Sequence, residues 1–273
     1  MDQAAALWLA ECSRLAYEDR PTIDAALGPQ GFAPVRFFDL DETQGYLALH
    51  TGGENETPMA VLAFRGTEQN FEDVLTDISF VKSKTPDGDY DVHSGFLEAL
   101  ERVWRLVETA LDELPEDCRL YFTGHSLGGA LATLAAHRRR PSALYTFGSP
   151  RAVCAKLARR LGKETPSYRV VNSTDIVTQL PLWGYRHVGE TVFLNDHGEL
   201  IHPAPRTTMA SRFLLLLSVA LLLALGVLPP SWIKRMFSNH RIREYINKLS
   251  PTEGESPKHH DEHHGDEQHD VAA

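Results

Sequence analysis

Leu120-Tyr121-Phe122-Thr123-Gly124-His125-Ser126-Leu127-Gly128-Gly129-Ala130 is the stretch whose reading decides the fold. Leu120–Thr123 is a short apolar strand, and Ala130-Leu131-Ala132-Thr133-Leu134-Ala135-Ala136 is a helix-forming run. Between them stands Gly-x-Ser-x-Gly. A strand that turns abruptly into a helix forces the serine into a strained backbone conformation, and glycines two residues to either side leave room for the crowded turn. The serine Oγ is then presented above a helix N-terminus, where backbone N–H groups and the helix dipole favour a developing negative charge. This placement, rather than the bare motif, predicts a nucleophile elbow at Ser126.

Working outward, Met59–Phe64 is a continuous apolar run that ends at Arg65-Gly66 and reads as a buried central strand. Phe96, Leu97, Leu100, Val103, Trp104, Val107, Leu111 and Leu114 recur at helical spacing, with Glu98, Glu101, Arg105 and Glu108 opposite them. Strands are expected at Ala143–Phe147, Tyr168–Asn172 and Thr191–Asn195, with a helix from about Cys154 to Leu161. Strands alternating with helices predict an α/β fold, a mostly parallel central sheet with helices on both faces. Asp175 follows one of these strands, where a carboxylate would face the elbow. An Asn172-Ser173-Thr174-Asp175 run is equally the composition of a plain surface turn.

Four further segments stand in order around the elbow: Ala63-Phe64-Arg65-Gly66-Thr67, Val92-His93-Ser94-Gly95-Phe96, Thr146-Phe147-Gly148-Ser149-Pro150-Arg151 and Val171-Asn172-Ser173-Thr174-Asp175-Ile176-Val177. A fifth, Asn239-His240-Arg241-Ile242-Arg243-Glu244-Tyr245, closes the set. With these the chain resembles the class 3 (fungal-type) lipases of the α/β-hydrolase superfamily, over residues 1–205 and 231–248. The resemblance implies a serine carboxylester hydrolase with no metal or cofactor. Ser126 would be the nucleophile, and Asp175 would orient the base. In α/β-hydrolases the triad follows the chain order Ser, Asp or Glu, His. Among 13 histidines, His240 matches the family's late His-x-x-x-x-Tyr segment; His187, in Tyr185-Arg186-His187-Val188-Gly189, is the other candidate. His125 lies inside the elbow and is expected to face away from Ser126. The residue after the nucleophile, Leu127, supplies one oxyanion N–H, and Thr67 matches the family position for the second donor.

Directly after Thr67, Phe71, Val74, Leu75 and Ile78 fall at i, i+3, i+4 and i+7 opposite Glu72, Asp73 and Asp77. Such a helix is commonly one packed on the core; the family keeps its amphipathic lid here, which implies a gate for substrate.

The net charge of −10 argues against nucleic acid. Its distribution is uneven. Residues 251–273 hold seven acids and one lysine, whereas residues 206–243 hold six basic residues and no acid. Inside the basic region lies Phe213–Leu228, sixteen residues without a charge, followed by Pro229-Pro230. A segment apolar on every side either is buried in protein or enters a bilayer. Just beyond the prolines, Trp232, Ile233, Met236 and Phe237 oppose Lys234 and Arg235, an interfacial pattern. The expectation is a leucine-rich membrane-contact helix within an insert, 206–238, with Leu214, Leu221, Leu225, Trp232 and Phe237 at the lipid. Sixteen residues make roughly 24 Å of helix, short of a hydrocarbon core of roughly 30 Å. A crossing would also separate His240 from Ser126.

Residues 1–250 therefore read as one α/β-hydrolase domain and 251–273 as a disordered tail rich in histidine and acid, able to bind Zn²⁺ or Ni²⁺ weakly. Cys12, Cys118 and Cys154 fit neither a disulfide framework nor a zinc site and read as buried reduced thiols. Met1–Ala10 runs into Glu11 and Arg14 as an amphipathic helix rather than a secretory signal, so the expected location is the cytoplasmic side, membrane-associated. The expected activity is hydrolysis of acyl esters such as triacylglycerol or monoacylglycerol. The alternatives are a phospholipase A1 acting on glycerophospholipids and, from another class, an inactive hydrolase-fold membrane-binding protein.

Overall fold

A computed structural model describes residues 1–53, 56–67, 81–172, 175–181, 183–195, 197–201 and 238–250. Its frame is an eight-stranded sheet: β1 (Phe32–Leu40), β2 (Thr43–His50), β3 (Met59–Phe64), β6 (Arg119–His125), β7 (Ala143–Phe147), β8 (Ser167–Asn172), β9 (Glu190–Leu194) and β10 (Leu200–Ile201) in spatial order. The five strands from β3 to β9 in that order run parallel, and antiparallel pairs extend the sheet at both edges. A small separate pair, β4 (Lys82–Lys84) with β5 (Asp91–His93), stands beside it. The helices are α1 (Gln3–Leu15), α2 (Arg20–Leu27), α3 (Ser94–Asp112), α4 (Leu127–Arg138), α5 (Ala155–Glu164) and α6 (Ile242–Leu249).

The expected architecture is present: a mostly parallel sheet with a hydrophobic layer on each face. Because strand side chains alternate between faces, Ala60, Leu62 and Phe64 of β3 pack with α3, α4 and α5, while Val61 and Ala63 pack with α1, α2 and α6. Phe64, Phe122 and Phe147 have no exposed surface, and each full burial of such a ring contributes about 1.5–3 kcal/mol. Asp2 and Asp19 start α1 and α2 by accepting backbone N–H groups with their carboxylates. On α6 the buried residues Ile242, Tyr245, Ile246 and Leu249 fall at i, i+3, i+4 and i+7, one apolar stripe against the sheet.

Residues 32–50 carry no clean alternation, yet they form the β1–β2 hairpin. The register slips between Phe32 and Val35, around Pro34, which removes a ladder donor and scrambles the period-two pattern. The hairpin closes over Asp41 and Glu42, both at positive φ (46° and 66°), where glycine or asparagine is the usual signal. The cysteines are free thiols, but only Cys12 is buried; Cys118 and Cys154 lie half-buried near the ends of loops. The leucine-rich segment, the 68–80 segment with Phe71, Val74, Leu75 and Ile78, and the tail lie outside the described residues. Among the described residues no helix is long and apolar enough to cross a membrane.

Parallel strands bring their C-terminal ends to one edge, with His125 opposite Phe147, and Phe147 opposite Val170. The elbow helix α4 lies tightly under that edge because its first turn is glycine: a Cβ at Gly128 would sit 2.1 Å from the Phe64 carbonyl oxygen. Gly28 has nothing within 4 Å of a Cβ and a helical φ of −54°. Gly128→Ala is expected to cost about 1–3 kcal/mol by overpacking, lowering the thermal midpoint by about 2–4 °C per kcal/mol. Gly28→Ala should leave the midpoint unchanged or raise it slightly. Equal midpoints for the two variants would contradict this packing.

Candidate active site

Ser126 sits between β6 and α4 with φ 55° and ψ −126°, a conformation a non-glycine residue adopts only when its surroundings enforce it. Its N–H donates to the Phe147 carbonyl at 2.9 Å, which ties the turn to the neighbouring strand. On the other side, a Cβ at Gly124 would approach the Gly128 carbonyl group to 2.3 Å. The two glycines of the motif are therefore needed for the backbone to pass itself.

The structure brings Ser126, His240 and Asp175 into one hydrogen-bonded chain. His240 Nε2 lies 2.9 Å from Ser126 Oγ, and its Nδ1 lies 3.0 and 2.9 Å from the two Asp175 oxygens. A carboxylate only accepts, so in the neutral ring Nδ1 carries the hydrogen and Nε2 is left to accept from the serine hydroxyl. All three residues are buried, with the Asp175 side chain fully so. Its charge is met by further donors: the Val177 N–H at 3.0 Å and the Tyr245 hydroxyl at 2.5 Å. Tyr245 also accepts the Asn172 N–H at 3.1 Å, and Asn172 Nδ2 donates to the Asn239 carbonyl at 2.7 Å. The loop before α6 is thereby bound to the end of β8. Burial, together with the Asp175 charge, pushes the Tyr245 hydroxyl well above its ordinary pKa and keeps it a donor.

Two supporting features carried weaker signals in the sequence. Gly148, at φ 59°, leaves no room for a Cβ, which would lie 2.8 Å from Asp175 Oδ2 and 3.1 Å from the His240 ring. The Gly-Ser-Pro run after β7 marks a turn there, without showing what it packs against. Tyr245 was signalled by its spacing from His240, though not its contact with Asp175.

The other candidates are placed as follows. Leu127 opens α4, so its N–H has no partner one turn back in the helix and points from the N-terminus beside Ser126. Thr67 is exposed in the loop after β3, and Gly66 of that loop lies against the elbow, a Cβ there being 3.2 Å from Ser126 Cβ. His187 is held elsewhere, with Nε2 2.8 Å from the Thr178 carbonyl. An open groove of about 760 Å³ between α5 and the segment before β9 is lined by Arg159, Lys163, Arg186 and His187 and contains no member of the Ser126 chain. Among the described residues no cluster of three His, Cys, Asp or Glu could hold a metal ion.

A sequence model of the family described as Lipase (class 3) matches residues 61–185. The secreted mono- and diacylglycerol lipase 1 of Fusarium solani is 35% identical over 58% of this chain and 50% of its own length. Phospholipase A1-Igamma1, chloroplastic, of Arabidopsis thaliana is 31% identical over 50% of this chain and 38% of its own. The chain thus spans about half or less of these relatives. In the solved structure of a deletion mutant of the Rhizomucor miehei lipase propeptide complex, the similarity covers 72% of this chain and 68% of that one, with a TM-score of 0.61 and 26% identity. The Fusarium relative is by name a secreted protein, which overturns the expectation of a cytoplasmic-side location. The amphipathic pattern behind that expectation has another cause: α1 buries Leu9, Ala10 and Leu15 in the core, so its composition reports packing and not compartment. The motif order, the sheet topology and these similarities show a chain that is similar to the class 3 lipases and has their α/β-hydrolase fold.

Proposed function

We propose that this chain is a serine carboxylester hydrolase that cleaves acyl esters of lipids such as triacylglycerol or monoacylglycerol. The observation that carries this reading is the 2.9 Å approach of His240 Nε2 to Ser126 Oγ, with Asp175 on the far ring nitrogen. His240 takes the Oγ proton as the serine attacks the ester carbonyl carbon. The resulting imidazolium is stabilised by the buried Asp175 carboxylate, which also fixes the tautomer. The tetrahedral oxyanion is bound by the Leu127 N–H at the α4 N-terminus and by Thr67 in the adjoining loop. His240 then returns its proton to the leaving alcohol, and water repeats the sequence on the acyl-enzyme. A binding protein built on an inactive fold would have no need of a buried carboxylate held by three donors.

The lid assigned to Phe71, Val74, Leu75 and Ile78 and the membrane contact assigned to 206–238 belong to the same reading. They are supported by the amphipathic spacing of the one and the basic, apolar composition of the other. A phospholipase A1 activity is favoured by the similarity to phospholipases A1 of Arabidopsis.

Ser126→Ala should lower kcat on a soluble ester by about 10⁴–10⁶, with Ser126→Ala/His240→Ala little worse, because the residues act as a unit. Asp175→Asn should cost about 10⁴ by presenting the wrong tautomer. Steady-state kinetics check both, and Ser126→Ala within tenfold of the unaltered protein would contradict the assignment. Hydrolysis of purified triacylglycerol, monoacylglycerol and phosphatidylglycerol, compared side by side, should favour the acylglycerols. Faster release of fatty acid from phosphatidylglycerol would select the phospholipase reading instead.

A further inference from the structure

Three segments far apart in sequence meet at Ser126: the 65–67 loop, the elbow, and the 239–241 turn that carries His240. Tyr17, two residues beyond α1, touches the first two directly. Its hydroxyl lies 2.7 Å from His125 Nδ1. A Cβ at Gly66 would be 2.3 Å from the same oxygen, so the 65–67 loop packs straight onto it. The Arg65 guanidinium lies 5.7 Å from the centre of the Tyr17 ring. The third segment is reached through the other side of the His125 ring, whose Nε2 is hydrogen-bonded to the main-chain oxygen of His240. A carbonyl oxygen can only accept, so Nε2 carries the hydrogen. In the neutral ring Nδ1 then accepts, and the Tyr17 hydroxyl donates to it.

We propose that Tyr17 and His125 are positioning residues that hold the main chain of His240 in register with Ser126 and with the oxyanion loop; this rests on the reading of Ser126 and His240 as nucleophile and base. The arrangement has an electrostatic consequence. The His125 and His240 rings are 4.6 Å apart between centres, and His240 becomes a cation during acyl transfer. A neutral His125 presents no like charge to it. Burial first, and His240 second, hold His125 well below the ordinary imidazole pKa and keep it neutral. The Tyr245 ring faces the same imidazole edge-on at 6.1 Å, and the Asp175 carboxylate lies beyond it, bonded to the Tyr245 hydroxyl and to His240.

The test compares His125→Ala, His125→Gln and Tyr17→Phe with the unaltered protein on a soluble short-chain ester, with activities scaled to the folded fraction from thermal melts. Loss of the tether should displace His240, and a displacement of about 1 Å costs about 10²-fold. His125→Ala is therefore expected to lower kcat by about that factor with KM within threefold. His125→Gln should keep kcat within tenfold of the unaltered protein, because its amide N–H stands where Nε2–H stood. Tyr17→Phe should fall between them. In proton NMR, the downfield His240 Nδ1–H resonance should broaden or vanish in His125→Ala and persist in His125→Gln. A kcat for His125→Ala within threefold of the unaltered protein, a glutamine variant as impaired as the alanine one, or an unchanged resonance would each overturn the proposal. If the unaltered protein cleaves no ester, the hydrolase reading fails, and the resonance alone decides whether His125 positions His240.

Discussion

The backbone of Ser126, held at φ 55°, is the constraint on which the rest of the site depends. Such a conformation costs of order 1–3 kcal/mol in an L-residue and persists only where packing over-determines it. Here the over-determination is visible on every side. Phe147 accepts the Ser126 N–H, Gly128 abuts the Phe64 carbonyl, and α4 is buried from Gly128 to Ala136. The small residues of that helix follow from the same need, since larger ones would lift it off β3 and β6 and relax the turn. The strained serine is thus an output of the sheet core, and it points Oγ at the edge where β7 and β8 end.

The second requirement is a buried negative charge next to a histidine. Removing one partner from a buried pair costs about 3–5 kcal/mol. Asp175 gathers donors from three places: His240, the backbone at Val177 and the hydroxyl of Tyr245. Two of the three come from residues 240–245. The short α6 that supplies Tyr245 is held by its own apolar stripe, so core packing on one face of the sheet fixes the geometry of a charged chain at its edge. Asn172 and Lys248 add a further hydrogen bond at 2.6 Å between β8 and α6.

Most of this order could be read from residue types alone, and the reasons differ from element to element. The elbow was legible because its strand, glycines and helix stand in one short stretch: Gly124 is dictated by the backbone of Gly128, while Gly128 answers to the distant Phe64 carbonyl. Helix α3 was legible from its apolar period, whereas α6 was marked only by the spacing of His240 and Tyr245 and its apolar stripe was not read as a helix. The β1–β2 hairpin was not, because the irregularity at Pro34 breaks the alternation and its turn uses Asp41 and Glu42 where glycine would have announced it. Asp175 was ambiguous in sequence, since turns and active-site carboxylates share one composition; only its burial separates them. Tyr17 carried no signal at all. It follows a core helix, and its contacts, with His125 and Gly66, are 108 and 49 residues away.

The central claim is that Ser126, and no other hydroxyl, is made nucleophilic by this chain of hydrogen bonds. Phosphonylation by a small fluorophosphonate, followed by peptide mass spectrometry, tests it most directly. The account predicts one label per chain, located on Ser126, and no label when His240 is alanine. Labelling of another residue, or equal labelling of Ser126 without His240, would contradict it.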